Sequence, residues 1–194
     1  AGKHIQCTKP LALSLAEAKR MRDAVRANGV TFMCGMNTRY QGWSRMIKNT
    51  VDNHELGQLV MVKWVNKGAH YTYPADSFYR TAASGGQLIH NGAHYLDTMC
   101  YWLDSLPTSI YGVSTRNWTP EDPIEFDNYY NLSLGFTSGA IGHLEYNQTL
   151  INPRGYPAVT MITLVGTEGM LEISLDDHRS IELFSDGKVT YPGI

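Results

Sequence analysis

The first 36 residues constrain the fold most, because they read as a strand, a helix and a second strand in close succession. His4-Ile5-Gln6-Cys7 is a candidate strand, and Val30-Thr31-Phe32-Met33-Cys34 is a second, more apolar one. Between them, Ser14 and Glu17 have capping-box spacing, and Asn28-Gly29 is typical of a helix C-cap. Such a βαβ unit predicts two parallel strands with a right-handed crossover. Strands of this kind need cover on both faces, so the unit must pack against something further.

The rest of the chain predicts two more helices and then a series of strands. Apolar spacing indicates helices from Trp43 to Asn53 and from about Asn91 to Leu103, with a strand from Leu59 to Val65 between them. Later segments alternate between turns, as strands of an antiparallel meander do: 131–136, 140–146, 159–165, 170–175, 181–184 and 188–191. We therefore predict an α/β (α+β) chain in which residues 1–36 form a parallel-strand unit. Residues 37–194 form a domain with a large open, mostly antiparallel sheet.

Composition excludes several classes of protein. The 194 residues are 43% hydrophobic with a net charge of −2, which does not suggest nucleic-acid binding. No apolar run approaches the roughly 20 residues of a membrane helix. The three cysteines suggest neither a disulfide framework nor a zinc site, so we expect a cytoplasmic protein. The chain starts without Met and holds no Gly-x-Gly turn for a dinucleotide, so we expect it to be part of a longer protein.

Lys9 is the first candidate for chemistry. It follows the first strand and precedes Pro10, which places it at the carboxyl end of a parallel strand, where open α/β sheets bind ligands. A half-buried lysine with a lowered pKa can hydrogen-bond a reacting hydroxyl group. The alternative is an ordinary solvated loop lysine.

The second candidate is the segment around His90, His94 and Asp97, which follows the pair Gly85-Gly86. Helical spacing would put the three side chains on one face. They could bind a metal ion, or His94 could act as a general base near neutral pH. Alternatively, the histidines are simply hydrogen-bonded in a half-buried helix start.

Weaker candidates flank these two. Arg39 follows the second parallel strand and could contact a substrate, although a surface salt bridge is the simpler explanation. Tyr79, in an aromatic-rich loop, and Tyr156 suit polyol binding but are also common sheet and interface residues.

Three segments, in order along the chain, carry a family resemblance. The opening Ala1-Gly2-Lys3-His4 with Lys9-Pro10 resembles an A-G-K-H-V-x-x-E-K-P-x-A segment. Gly85 to Asp97 has the pattern Gly-Gly-x-Leu-x-x-x-Gly-x-His-x-x-Asp, and Gly166 to Leu171 resembles a G-T-E-G-x-L hairpin. Together they are similar to the family of glucose–fructose oxidoreductase, inositol dehydrogenase and the rhizopine-catabolism protein MocA.

The resemblance implies the tail of a Rossmann domain followed by an open-sheet domain, and oxidation of a secondary alcohol on a sugar or cyclitol with NAD or NADP. It implies that Lys9 and Pro10 contact the cofactor and that Lys9 also polarises the reacting oxygen. His94 takes the proton, and His90 positions His94 or the substrate. The substrate residues would be Arg39, Tyr79, Asn91 and Tyr156. We expect Lys9 and His94 to share one cleft, and we expect no structural metal.

Two residues depart from the family pattern. Thr8 stands where the family has Glu, and His90 stands where it has Asp, so the negative charge that would orient the imidazole of His94 is missing. Alternatives are therefore a non-catalytic sugar-binding or assembly module, or a metal- or NAD-assisted sugar hydrolase or isomerase. The resemblance also implies a homodimer or tetramer formed through the open sheet.

Overall fold

The structure is a computed structural model that describes residues 2–69, 82–116, 124–150, 159–175, 182–185 and 188–190. Three α-helices lie in this part of the chain: α1 (Leu15–Ala27), α2 (Gly42–Asp52) and α3 (Ala93–Leu103). Ten strands accompany them: β1 (Ile5–Thr8), β2 (Phe32–Gly35), β3 (Leu59–Ala69), β4 (Pro107–Thr115), β5 (Tyr129–Phe136), β6 (Ile141–Leu150), β7 (Val159–Gly166), β8 (Gly169–Ser174), β9 (Glu182–Ser185) and β10 (Lys188–Thr190).

The N-terminal unit has the predicted βαβ arrangement. Strands β1 and β2 pair in parallel, with Cys7 opposite Cys34, and α1 connects them. The Ser14 hydroxyl accepts a hydrogen bond from the Glu17 amide, and the Glu17 carboxylate accepts one from the Ser14 amide. This reciprocal capping box fixes where α1 begins. Because β1 and β2 are parallel, their carboxyl ends lie at one edge.

The large sheet contains eight strands in the order β10-β9-β8-β7-β3-β6-β5-β4. It is mostly antiparallel, as predicted, but the simple meander was wrong. Strand β3 is inserted between β6 and β7 and runs parallel to β6. Its residues Val62, Trp64 and Val65 are buried although they point to both faces, which is typical of a central strand. No strand was predicted over the residues of β4, which is an edge strand exposed along its whole length.

Helices α2 and α3 cover one face of this sheet. Trp64 of β3 stacks on Trp102 of α3 with ring centroids 5.5 Å apart, and Trp43 of α2 meets both edge-on. The remaining core comes mainly from alternate residues of the strands: Val62, Leu132, Leu134, Phe136, Leu144, Tyr146, Ile162, Leu164, Leu171 and Ile173. In the described part of the chain, α2 and α3 do not cover the opposite face of this sheet. None of the helices in these described ranges is both long and apolar enough to cross a bilayer.

The start of α3 differs from the prediction. The predicted helix begins near Asn91, whereas the structure has a π-helical turn over Leu88–Gly92 before α3. Gly85 and Gly86 precede this turn with φ of +80° and +70°, and a Cβ on Gly86 would lie 3.0 Å from the Phe126 side chain. The glycine pair therefore permits a tight entry into the turn. Because a π-helical turn is wider than an α-helical one, His90 does not keep the α-helical spacing to His94 and Asp97 that the sequence suggested.

Candidate active site

The Lys9 side chain reaches from the end of β1 to the turn that precedes α3. Its Nζ donates to the main-chain oxygen of His90 at 2.8 Å and to Oδ1 of Asn91 at 3.0 Å. Burial lowers the pKa of Lys9 below its ordinary value. The solvated-loop alternative is therefore wrong, because this half-buried amine is fixed by two hydrogen bonds across the molecule. Pro10, half-buried, follows directly at the same strand end.

His94 lies on the first turn of α3, and its ring is oriented by a residue that follows β2 of the two-stranded sheet. Its Nδ1 is 3.2 Å from Oγ1 of Thr38, a buried residue in the short 3₁₀ turn Asn37–Tyr40 after β2. The main-chain oxygen of His94 accepts a 2.6 Å hydrogen bond from Thr98 within α3. With Nδ1 engaged, Nε2 is the ring nitrogen suited to exchange a proton with a substrate.

Lys9, His90 and His94 are close enough to influence one another's titration. The pKa of His94 is lowered first by burial and then by the positive charge of Lys9, with a smaller lowering from His90 and an opposing effect of Asp97. The pKa of His90 is lowered by burial and by Lys9. Both effects favour neutral imidazoles near pH 7, which is the form a proton acceptor requires.

Arg39 and Asp97 form a bidentate ion pair. Arg39 Nε lies 2.6 Å from Oδ2 of Asp97, and Nη2 lies 2.5 Å from Oδ1. The guanidinium also sits over the ring of Tyr101, 5.1 Å from its centroid. The pair ties the segment after β2 to α3, and it engages both oxygens of the carboxylate that a metal site on His90, His94 and Asp97 would need. In the described ranges, no three His, Cys, Asp or Glu side chains are grouped as metal ligands would be.

The other predicted site residues divide into two groups. Asn91 contacts Lys9 directly, so it belongs to the same cluster. Tyr79 and Tyr156 lie outside the described residues. The structure thus brings together Lys9, His90, Asn91 and His94, with Arg39 linked to His94 through the Asp97 that follows it on α3.

Three further residues complete this arrangement and were not predicted as site residues. Thr38 contacts His94, while Gln87 and Tyr146 contact Asn91. Thr38 could have been found from its place after β2, next to Arg39. Gln87 lies beside the glycine pair, but Tyr146 was visible only as one alternating residue of a strand.

These features define a class of protein: a parallel β-strand unit joined to an open sheet, with a lysine of the first bonded to the turn that precedes a histidine-bearing helix of the second. Comparison with known proteins gives the family. The GFO/IDH/MocA C-terminal domain family matches residues 44–172. The chain belongs to the GFO/IDH/MocA family of oxidoreductases.

Individual relatives agree with this assignment. The uncharacterized oxidoreductase YrbE of Bacillus subtilis is 29% identical over 87% of this chain and 48% of its own length. The scyllo-inositol 2-dehydrogenase (NAD(+)) of the same organism is 29% identical over 95% of this chain and 52% of its own length. The chain thus spans about half the length of these curated relatives.

A solved structure shows the same fold. An oxidoreductase from Agrobacterium radiobacter, in complex with NAD+, L-tartaric acid and magnesium, superposes with a TM-score of 0.81. The match covers 97% of this chain and 53% of that chain at 19% sequence identity.

Proposed function

We propose that the protein to which this chain belongs is an NAD- or NADP-dependent oxidoreductase that interconverts a secondary alcohol and a ketone on a sugar, a cyclitol or a derivative. The observation that carries the proposal is that Lys9, at the end of β1, donates to His90 and Asn91 on the turn directly before His94. A lysine ammonium that can hydrogen-bond an oxygen and a neutral histidine that can take a proton can together supply the acid–base part of alcohol oxidation.

The residues at the end of β1 suit the reactive end of a nicotinamide cofactor. Lys9 and Pro10 lie at the carboxyl end of a parallel strand, the edge where open α/β sheets bind dinucleotides. The amine of Lys9 is a donor fixed at this edge by residues of the other sheet. When bound there, the nicotinamide supplies hydride acceptance, which no side chain can provide.

The chain's own residues then have distinct roles. In the oxidation direction, Lys9 donates a hydrogen bond to the carbinol oxygen and stabilises the charge that develops on it. Nε2 of His94 accepts the hydroxyl proton while the carbinol hydrogen leaves as hydride, so one alcohol yields one ketone, one hydride and one proton. Thr38 holds the ring of His94 through Nδ1. Asp97, engaged by Arg39, moderates the lowering of the His94 pKa.

The substrate class rests on the relatives rather than on the geometry. The scyllo-inositol dehydrogenase relative supports a polyol with neighbouring hydroxyl groups. The metal-site alternative is disfavoured because Arg39 holds both oxygens of Asp97. The non-catalytic alternative is disfavoured because Lys9 and His94 are held by specific partners rather than left in solvent.

The experiment is a substrate screen with the full-length protein. Inositol isomers and aldoses are offered with NAD+ or NADP+, and reduced nicotinamide is followed at its absorbance band. We expect turnover that falls about 10²- to 10⁴-fold in His94→Asn, the range typical of a lost general base. His54→Asn is the matched control: His54 is exposed with φ of +57°, a conformation that Asn tolerates well. Equal activity of the two variants would contradict the assignment of His94.

A further inference from the structure

Behind the Lys9–His94 pair lies a network of three polar side chains that the proposed reaction does not itself use. Asn91 stands on the π-helical turn, Gln87 stands one turn before it, and Tyr146 comes from β6 in the sheet. Gln87 and Tyr146 are each only 1% exposed, so their polar atoms are costly to leave without partners. The network therefore reaches from the core of the sheet to the amine of Lys9.

The hydrogen bonds in this network fix the direction of each group. Asn91 Nδ2 donates to Oε1 of Gln87 at 2.9 Å and to the hydroxyl of Tyr146 at 3.2 Å. The Tyr146 hydroxyl in turn donates to Oε1 of Gln87 at 3.2 Å. An amide nitrogen has two hydrogens, and both have acceptors here.

With the Gln87 amide oriented so that Oε1 accepts, only one orientation of the Asn91 amide satisfies these partners. If the amide were turned over, Oδ1 would face the oxygen of Gln87, and the NH₂ group would face the ammonium of Lys9. Both contacts would be repulsive. Gln87 and Tyr146 thus hold Oδ1 of Asn91 toward Lys9, where it accepts the 3.0 Å hydrogen bond.

We propose that Gln87 and Tyr146 are positioning residues for Lys9, acting through the side-chain amide of Asn91. This inference rests on the proposed function, since it assigns Lys9 as the group that contacts the reacting oxygen. It also gives Asn91 a positioning role in place of the substrate contact that the family resemblance suggested.

The two acceptors of Lys9 show why an amide rather than a carboxylate suits position 91. Both acceptors that the described residues supply to Lys9, the oxygens of His90 and Asn91, are neutral. A carboxylate in the place of Asn91 would hold the lysine firmly as a cation and would compete for it with the substrate oxygen. An amide fixes the direction of the amine but leaves its charge available to the substrate. Among the described side chains with a shifted pKa, Lys9 lowers the pKa of His90 and of His94.

The test uses Lys9 itself as the reporter. In the full-length protein, trace acylation of Lys9 by acetic anhydride is measured against pH by peptide mass spectrometry, and kcat/KM is measured in parallel. Tyr146→Phe removes one hydroxyl from the network, and Asn91→Asp replaces the amide with a carboxylate. The matched control is Tyr130→Phe, because Tyr130 is also buried and stacks on Tyr146, but its hydroxyl donates to the main-chain oxygen of Asp127.

We expect Tyr146→Phe to lower kcat/KM by about 10-fold with little change in the KM for the cofactor, the scale of one lost buried hydrogen bond. Asn91→Asp should raise the pKa of Lys9 by about 1 or more and reduce its acylation at neutral pH correspondingly. Tyr130→Phe should change neither readout by more than about twofold.

Two results would overturn the inference: an unchanged acylation profile of Lys9 in Asn91→Asp, or equal losses of activity in Tyr130→Phe and Tyr146→Phe. A different result would show that the proposed function itself is wrong. In that case the wild-type protein oxidises no polyol with either cofactor, while the acylation profiles still report whether Asn91 controls Lys9.

Discussion

The amine of Lys9 donates a 2.8 Å hydrogen bond to the main-chain oxygen of His90, a residue 81 positions further along the chain. This bond joins the end of a strand in one sheet to the turn before a helix that packs on the other sheet. It brings the candidate acid–base groups together, because His94 follows on the first turn of that helix. The site is therefore built at the boundary between the two sheets rather than within one of them.

The lowered pKa of His94 predicts the acid limb of the pH profile. His94 must be neutral to accept a proton, so alcohol oxidation should persist as the pH falls below 6.5 and should be lost only at the lowered pKa of His94. His90→Asp should move this limb to higher pH, because a negative charge beside the ring favours the imidazolium. The measurement is kcat/KM against pH, with His54→Asp as the control that leaves the limb in place. A wild-type limb at or above 6.5 would contradict the account.

The Arg39–Asp97 pair predicts a measurable contribution to stability. Asp97→Asn removes one charge from a bidentate, half-buried pair and should lower the free energy of unfolding by about 1 to 2 kcal/mol. Asp23→Asn is the matched control, because the Arg22–Asp23 pair is largely exposed and should contribute less than about 0.5 kcal/mol. Urea unfolding of the two variants distinguishes these values, and similar losses in both would contradict the prediction.

The backbone around Gly166, at the end of β7, leaves no room for a side chain. A Cβ on this glycine would lie 2.0 Å from the main-chain oxygen of Leu56, so the strand would have to move. Gly166→Ala should therefore destabilise the protein by at least about 2 kcal/mol. Gly42→Ala, at the start of α2, meets nothing within 4 Å and should be neutral or stabilising. Thermal unfolding of the two variants tests the contrast.

Part of the site could be predicted from local sequence, and part could not. The capping box of α1 and the parallel pairing of β1 with β2 follow from residues close together in the chain, and they place Lys9 at a strand end. The insertion of β3 beside β6 depends on non-local pairing, which alternation cannot indicate. The amide of Asn91 and the hydroxyl of Tyr146 meet only because that sheet and α3 pack together, partly through Tyr95, whose ring lies between Trp64 and Tyr146.

The open face of the large sheet predicts self-association. Apolar side chains that are half-buried or exposed lie on this face, from the central strands to the exposed edge: Met61, Met161, Val165, Tyr111, Val113 and Ile141. Covering a face of about 800 Å² per partner is strongly favourable at roughly 25 cal/mol per Å². We propose a homodimer or tetramer through this face, with the Lys9–His94 site left free.

Sedimentation velocity of the full-length protein tests this assembly. Met161→Glu, on the open face at the centre of the sheet, should shift the protein toward monomers. Leu106→Glu, at an exposed position beside the edge strand, should not. A wild-type monomer at micromolar concentration would rule out stacking of the open faces.

The central claim is that Lys9 and His94 act on the same hydroxyl group of a bound polyol. A double-mutant cycle on kcat/KM for alcohol oxidation in the full-length protein tests it, with Lys9→Met, His94→Asn and the double variant. Groups that serve one transition state are strongly non-additive, so the double variant should be no more than about 10-fold slower than the slower single variant. Independent, additive losses in the two single variants would contradict the account.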